Sequence, residues 1–309
     1  MIKVAVVIPT CNRRALLEKA LFSVFNQTVH PNEVIVVDDN STDGIDSSVF
    51  SGAPESINCV LLKNKINRGG NYCRNTGVET STADVICFLD DDDSFNPRKI
   101  ESVRDAAIAN PSMDVFYHPA KVSFPNEGVG FITKPKRAQS QNDFLRQLLV
   151  MNIVGGTPMV SVRRDALLQS GGFDEDLGRF QDYELWLRLA ITGKKFHLIN
   201  EPLTNYNYFS RQKSVTRSYN MTRHSIDYIR RKHQSLYNDL SSSEQRQHAC
   251  WAIKTLVRAA VLNYDRYSAV RFQLMSLYCR PTISGIFSLP VLAVSPRLAI
   301  LLQAKMSGG

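Results

Sequence analysis

Three near-continuous apolar runs, Val4–Ile8, Glu33–Val37 and Asp84–Leu89, stand within the first ninety residues of this chain. Apolar on both alternate faces, they fit strands buried on both sides of a sheet. Helical patterns separate them. Arg13–Asn26 puts Leu17, Leu21 and Val24 or Phe25 on one stripe, and Gly70–Glu79 reads as a helix. Pro97 fits the first turn of another helix that runs to about Ala109. Asn58–Leu62 and Val115–His118 supply two further strands. The alternation predicts an α/β fold, a mostly parallel sheet flanked by helices. Ligands of such sheets sit at the carboxyl ends of the strands. The second and third runs end there on Asp38-Asp39-Asn40-Ser41 and Asp90-Asp91-Asp92-Asp93.

Farther on, Ser123–Gln141 is polar and reads as a loop or irregular hairpin. Phe144–Met151 and Arg164–Gln169 are short helices, and Pro158–Val162 is a strand. Gln181–Ile191 is a stronger helix with Leu185, Trp186 and Leu189 on its apolar side. From about residue 220 the pattern turns to long helices, Ile226–Leu236, Glu244–Val261 and Tyr267–Leu277, without strands. The division expected is residues 1–219 as one domain, with halves 1–120 and 121–219, and a helical region over 220–309.

Charge follows the same division. Residues 1–199 carry 22 Lys or Arg against 24 Asp or Glu, whereas residues 200–309 carry 15 against 5. A basic C-terminal third points to an anionic partner, nucleic acid or a membrane leaflet, against the plain alternative of a solvated basic surface. Between Arg280 and Arg297, sixteen uncharged residues include Ile283, Ile286, Phe287, Leu289, Val291, Leu292 and Val294. A bilayer span needs about 20 apolar residues, and Pro281, Pro290 and Pro296 interrupt this one. Residues 281–304 are therefore expected to lie on a membrane rather than cross it, or else to pack against the rest of the chain. Attachment to an anionic membrane surface is the reading taken, and nucleic acid is set aside. The first residues form a short strand without the length or cleavage site of a leader. Six cysteines without a CxxC pair predict reduced thiols, a cytosolic setting and no structural zinc.

Four consecutive carboxylates at 90–93 call for a cation, and an Asp-x-Asp at a strand end can hold Mg²⁺ or Mn²⁺ together with the phosphates it binds. The alternative is a solvated turn that caps the next helix. Asp39 can accept a hydrogen bond from a nucleobase or a ribose, although Asp-Asn-Ser is also ordinary turn chemistry. No Gly-x-Gly-x-x-Gly follows Ile8, and no Gly-x-x-x-x-Gly-Lys-Ser/Thr occurs, which disfavours a dinucleotide-binding domain and a phosphate-loop ATPase. Asp182 opens the helix of Leu185 and Leu189, where it serves either that helix N-terminus or a cleft as general base.

These clusters, taken in order, resemble the family 2 glycosyltransferases of the GT-A fold. The features that match are Val7-Ile8-Pro9-Thr10-Cys11-Asn12-Arg13, Gln27-Thr28, Val36-Val37-Asp38-Asp39-Asn40-Ser41-Thr42-Asp43, Asn75-Thr76-Gly77, Phe88-Leu89-Asp90-Asp91-Asp92-Asp93, Gly171-Gly172-Phe173-Asp174-Glu175 and Gln181-Asp182. They cover roughly residues 3–210. The resemblance implies a nucleotide-sugar donor bound by Pro9, Thr10, Cys11, Asn12, Arg13, Asp39, Asn75, Asp90 and Asp91. It implies a metal, Mn²⁺ or Mg²⁺, on Asp92 and Asp90, and Asp182 as the catalytic base of an inverting transfer. Asp174, Glu175 and Glu184 are the alternative bases. Cys11 stands where many relatives carry an aromatic residue, and Gln181 where an acidic residue often precedes the base. Arg211 and Lys213 fall where the family often has a loop over the diphosphate. Relatives of this size imply a lipid-linked saccharide acceptor in bacterial surface polysaccharide assembly, with the enzyme peripheral on the inner face of the cell membrane. A soluble or protein-linked glycan, a non-catalytic nucleotide-sugar-binding role and a homo-oligomer stay open.

Overall fold

The computed structural model describes residues 2–137, 139–208 and 218–307. The apolar runs become β1 (Val4–Thr10), β2 (Glu33–Asp38) and β4 (Val85–Phe88), joined by β3 (Asn58–Lys63), β6 (Val115–Tyr117), β9 (Val160–Arg163) and β10 (Phe196–Leu198) in one seven-stranded sheet. Its order is β10-β6-β9-β4-β1-β2-β3. β9 runs antiparallel to both of its neighbours, and the remaining pairs are parallel, so the sheet is mixed.

Alternation along β1 explains why its run has no polar face. Val4, Val6 and Ile8 join a core with Leu17, Leu21 and Val24 of α1 (Arg14–Phe25) and with Ile100 and Val103 of α3 (Lys99–Ala109). Ala5 and Val7 face the other layer, with Cys73 of α2 (Gly69–Thr80), Leu148 of α4 (Gln141–Val150), Leu167 of α5 (Arg164–Ser170) and Trp186 of α6 (Gln181–Ile191). Each strand residue is thus removed from water on one side or the other, which drives the layering.

A second sheet, of order β5-β11-β7-β8, was not foreseen from the sequence. It combines β5 (Ser94–Phe95), β11 (Thr204–Asn207), β7 (Ala120–Phe124) and β8 (Val129–Ile132). β7 and β8 form a hairpin whose turn uses Gly128 at φ 68°, inside the stretch read as a loop or irregular hairpin. β5 has two residues and β11 reads Thr-Asn-Tyr-Asn, so neither offers an alternating apolar pattern.

The C-terminal region is helical throughout its described residues: α7 (Tyr219–Lys232), α8 (Gln234–Asn238), α9 (Ser242–Leu262), α10 (Arg266–Cys279), α11 (Ile283–Val294) and α12 (Pro296–Ser307). Ser241 and Glu244 close a capping box at the start of α9, and Glu244 also pairs with Arg146 of α4 at 2.6 Å. Val122 and Phe124 of β7 pack with Leu256, Val261, Phe272, Leu292 and Ile300 of these helices. Part of 281–304 is therefore core, while Ile283, Ile286, Phe287 and Val294 are exposed. Among the described residues no helix is long and apolar enough to cross a membrane.

Gly77 sets how closely α2 approaches β1, because a Cβ there would overlap the Val7 side chain. Gly77→Ala is expected to destabilise the protein by about 1–3 kcal/mol through overpacking. Adding Val7→Ala should restore part of the loss, as urea denaturation would measure.

Candidate active site

The site is built from the carboxyl ends of β1, β2 and β4 and from the start of α6. At the end of β2, the Asp39 carboxylate accepts from the backbone N–H groups of Arg68 (2.8 Å) and Gly69 (2.7 Å) and from Asn64 Nδ2 (2.8 Å). It thereby serves the N-terminus of α2, where an anion is favoured. Cys11 Sγ lies 3.3 Å from the Asp39 carbonyl oxygen, and Asn67 Nδ2 donates to both. Pro9, Thr10 and Cys11 thus border Asp39 where β1 ends. Asn12, at φ 55°, ties this loop to the next, accepting from Thr42 N–H (2.7 Å) and donating its own N–H to Ser41 Oγ (2.8 Å).

Beyond β4 the chain turns sharply, with the Asp93 N–H donating to the Asp90 carbonyl. Arg13 Nη1 bridges Asp91 Oδ1 (3.0 Å) and Asp92 Oδ2 (3.1 Å), and Thr10 Oγ1 donates to the other Asp91 oxygen. Arg74 of α2 pairs with Asp90 Oδ1. Asn207 of β11 holds the turn from below, its N–H on Asp93 and its amide on the Asp92 carbonyl. Burial, with Asp90 and Asp91 beside it, pushes the Asp92 carboxyl up to about 6, and burial raises Asp91 and Asp93 as well.

This donor set suits a hard divalent cation. All of its candidate ligand atoms are carboxylate oxygens, close enough that Asp90 and Asp91 raise the proton affinity of Asp92. No group of three or more His, Cys, Asp or Glu gathers as a complete protein cage among the described residues. One or two carboxylates with substrate phosphates is the arrangement Mg²⁺ ordinarily uses.

Asp182 stands in the first turn of α6. Phe180 enters that helix at φ 59°, and Asp182 Oδ1 accepts the N–H of Tyr183 at 2.7 Å. α6 is fixed from behind by Tyr183 Oη on the Leu148 carbonyl (2.8 Å) and by Trp186 Nε1 on the Gly155 carbonyl (3.1 Å). Burial raises the Asp182 carboxyl to about 6, with Asp90 adding to the rise and Arg74 opposing it. Asp182 and the acidic turn therefore share one electrostatic field. A Cβ built on Gly156 would sit in ordinary contact with Asp182 Oδ2 (3.8 Å) and the Tyr206 ring (3.6 Å), which places this glycine directly beside the carboxylate.

The other acids near Asp182 are engaged otherwise. Glu184 is fully buried, accepts from Arg188 (2.8 Å) and Lys232 (2.9 Å), and is held far below the usual carboxylate range despite its burial. Asp174 takes Lys232 and Tyr228 Oη, and Glu175 takes the amide of Asn75. Asn75 itself exchanges two hydrogen bonds with the Phe173 backbone, at 2.7 and 2.9 Å. It fastens α2 to the loop at Gly171-Gly172, and a Cβ on Gly172 would overlap its amide.

The sequence reading missed Arg74, Asn207, Tyr206 and Gly156. Arg74 directly precedes the matched Asn75-Thr76-Gly77 and is the one of the four with such a signal in the sequence. Arg211 and Lys213 lie outside the described residues. A cavity of about 420 Å³ at the β10 edge, lined in part by Tyr117, Phe144, Phe196 and Lys195, contains none of the site residues.

Comparison with known proteins bears on these geometries. Residues 5–167 match the family described as Glycosyl transferase family 2. An uncharacterized glycosyltransferase of Haemophilus influenzae is 31% identical over 304 residues, covering 97% of this chain and 98% of that protein. The amylovoran biosynthesis glycosyltransferase AmsB of Erwinia amylovora is 29% identical over 68% of this chain and 71% of its own. The GalNAc(5)-diNAcBac-PP-undecaprenol beta-1,3-glucosyltransferase of Campylobacter jejuni is 28% identical over 70% of this chain and 68% of its own. Among solved structures, S. aureus TarS 1-349 in complex with UDP-GlcNAc superposes with a TM-score of 0.55 at 16% identity, covering 96% of this chain and 92% of that one. The last likeness is one of fold.

Glu184 couples α6 to α7 through Lys232, so its carboxylate contributes to stability. Its folded pKa is depressed, so that contribution is present above the unfolded value and fades as pH falls through the folded one. Glu184→Gln is expected to cost about 3–5 kcal/mol near neutral pH, since it leaves Lys232 and Arg188 without their buried partner. The gap to the unsubstituted protein should narrow below about pH 4, where unfolded Glu protonates. Thermal melts across pH test both statements.

Proposed function

The chain belongs to glycosyl transferase family 2, and on that premise we propose that it is an inverting, metal-dependent hexosyltransferase. Its donor is a nucleoside diphosphate sugar, in our reading a uridine diphosphate sugar. Its acceptor is a hydroxyl of a polyprenyl-diphosphate-linked saccharide in bacterial surface polysaccharide synthesis. The observation that carries this reading is the convergence of Asp39, the Asp90–Asp92 turn and Asp182 at one sheet edge. The PP-undecaprenol in the name of the Campylobacter enzyme supports the acceptor class, and AmsB, named for amylovoran biosynthesis, supports a biosynthetic glycosyltransferase.

In this mechanism Asp39, with Pro9, Thr10 and Cys11, receives the nucleobase, and Asn12 shapes that pocket. Arg13 and Arg74 stand beside the diphosphate. Asn75 acts on the donor side by holding α2 against the Gly171-Gly172 loop. Asp182 takes the proton of the acceptor hydroxyl as that oxygen attacks the anomeric carbon. The new carbon–oxygen bond forms as the bond to the diphosphate breaks, with inversion, and the nucleoside diphosphate leaves with the electron pair. A carboxyl near 6 is ionised at neutral pH yet more basic than an exposed aspartate, which suits a general base. A divalent cation, Mn²⁺ or Mg²⁺, held by Asp92 and Asp90 would supply positive charge to the departing diphosphate.

The same reading puts the C-terminal helices against an anionic membrane at the cytoplasmic face. Ile283 is 77% exposed, Phe287 72% and Val294 65%, and Tyr278 and Ile286 are exposed beside them. Arg271, Arg280 and Arg297, also exposed, flank this apolar face. Apolar contact combined with nearby cations is the chemistry of a peripheral membrane element.

Asp182→Asn is expected to leave donor affinity intact while lowering kcat about 10²–10⁴-fold. Asp92→Asn or a chelator should instead weaken calorimetric binding of the donor. At saturating donor and metal, kcat should fall as the pH is lowered far enough to protonate Asp182, because a protonated Asp182 cannot accept the proton. Near-full turnover by Asp182→Asn would overturn the assignment of the base.

For the membrane face, Ile283→Asp with Phe287→Asp should abolish binding to liposomes of anionic lipid at low salt while donor affinity is kept. Neutral liposomes should bind more weakly, and added salt should weaken attachment. A sedimentation assay with unchanged binding would contradict the proposal, and a dimer dissociated by the same variant would assign the face to a second copy.

A further inference from the structure

Arg179, three positions before Asp182, is a charged side chain for which the mechanism above has no use. It is 8% exposed. Its guanidinium donates to Thr222 Oγ1 of α7 and lies 4.7 Å from the centroid of the Phe180 ring. Among the described residues no carboxylate lies within 4.0 Å of it, and Thr222 is its one hydrogen-bond partner. A guanidinium carries five N–H donors, so most of its capacity is unspent. Burying a charge without a counter-ion is unfavourable, and such a position persists where a ligand supplies the missing anion. Burial holds its pKa down, to about 10, with the cation of Arg258 lowering it further and the Asp182 carboxylate opposing. A second cation, Arg258 of α9, therefore adds to the local excess of positive charge.

Position separates this arginine from the donor side. The Asp90–Asp92 turn already has its own cations in Arg13 and Arg74. Arg179 reaches Thr222 of α7, and the adjoining Phe180 ring packs on Trp251 of α9. We propose that Arg179, supported by the nearby positive charge, forms an anion subsite for a phosphate group of the acceptor, an inference that rests on the glycosyltransferase reading. The planar fork of a guanidinium suits phosphate oxygens, and the subsite would seat a diphosphate acceptor with its sugar hydroxyl facing the base.

Calorimetry on the full chain with farnesyl diphosphate, inorganic pyrophosphate and UDP tests the proposal without requiring turnover. Farnesyl diphosphate should bind, and pyrophosphate should compete with it. Arg179→Gln should weaken farnesyl diphosphate about 10- to 100-fold, the loss expected for charge-assisted hydrogen bonds, with UDP affinity unchanged. Arg179→Lys should recover part of the binding, and near-UV circular dichroism checks the fold of each variant. Should Arg179→Gln fail to fold, Arg258→Gln, at an exposed position, carries the test, and weakened farnesyl diphosphate binding is expected of it too. Unchanged farnesyl diphosphate affinity in a folded Arg179→Gln overturns the subsite. So does failure of the unsubstituted protein to bind this ligand. Loss of UDP binding instead would assign the phosphate to the donor and overturn the assignment to the acceptor. A protein that binds farnesyl diphosphate through Arg179 yet transfers no sugar would refute the enzymatic reading while leaving the subsite intact.

Discussion

Repulsion among carboxylates gathered at one edge of a sheet governs how the rest of this site is arranged. Strand directions fix the gathering, because β1, β2 and β4 are parallel and all end at that edge. Asp39 is relieved by the backbone N–H groups that start α2. Asp90, Asp91 and Asp92 draw in Arg74 and Arg13, and even so Asp92 stays near 6. Two arginines thus offset part of the repulsion of a turn that still favours an added cation. The same turn acts on Asp182 across the cleft through Asp90. The acidic turn and Asp182 are coupled electrostatically, so a cation bound at the turn would alter the proton affinity of Asp182.

How much of this was visible in the sequence depended on the range of the interaction. Strands β1, β2 and β4 were legible as continuous apolar runs and helix α6 by its strong local period, and α6 appears with the bounds read from its pattern. The acidic turn was legible because its position after a buried run is a local fact. The direction of β9 was not, since an antiparallel strand inside a parallel sheet is set by its connections. The second sheet escaped for a related reason. β5 and β11 pair across 109 positions or more, Phe95 with Thr204 and Ser94 with Asn205, and neither carries a pattern of its own. Arg74 and Asn207 were missed as site residues because their roles exist only once α2 and β11 meet the turn.

The acids around α6 show why sequence proximity could not choose the base. Asp174, Glu175, Asp182 and Glu184 are of one chemical type and close in sequence. Spacing along a helix separates two of them: Asp182 faces the cleft beside Gly156, and Glu184, two positions on, points to the far side toward Lys232 and Arg188. Their environments push the two carboxyls in opposite directions, one up to about 6 by burial and one strongly down by cations. Such divergence is the physical basis for giving one the proton-transfer task and the other a bracing task.

Bracing explains why the C-terminal helices belong to the function rather than trail after it. Lys232 of α7 links Glu184 to Asp174, so one cation holds together α6 and the loop that Asn75 grips from α2. Arg179 meets Thr222 on the same helix, and Arg258 comes from α9. Farther along, α10 and α11 turn Tyr278, Ile283 and Phe287 outward. One helical region therefore braces α6 and exposes an apolar face. On the proposed reading of a lipid-linked diphosphate acceptor, the brace and the apolar face would bring Asp182 to the leaflet together.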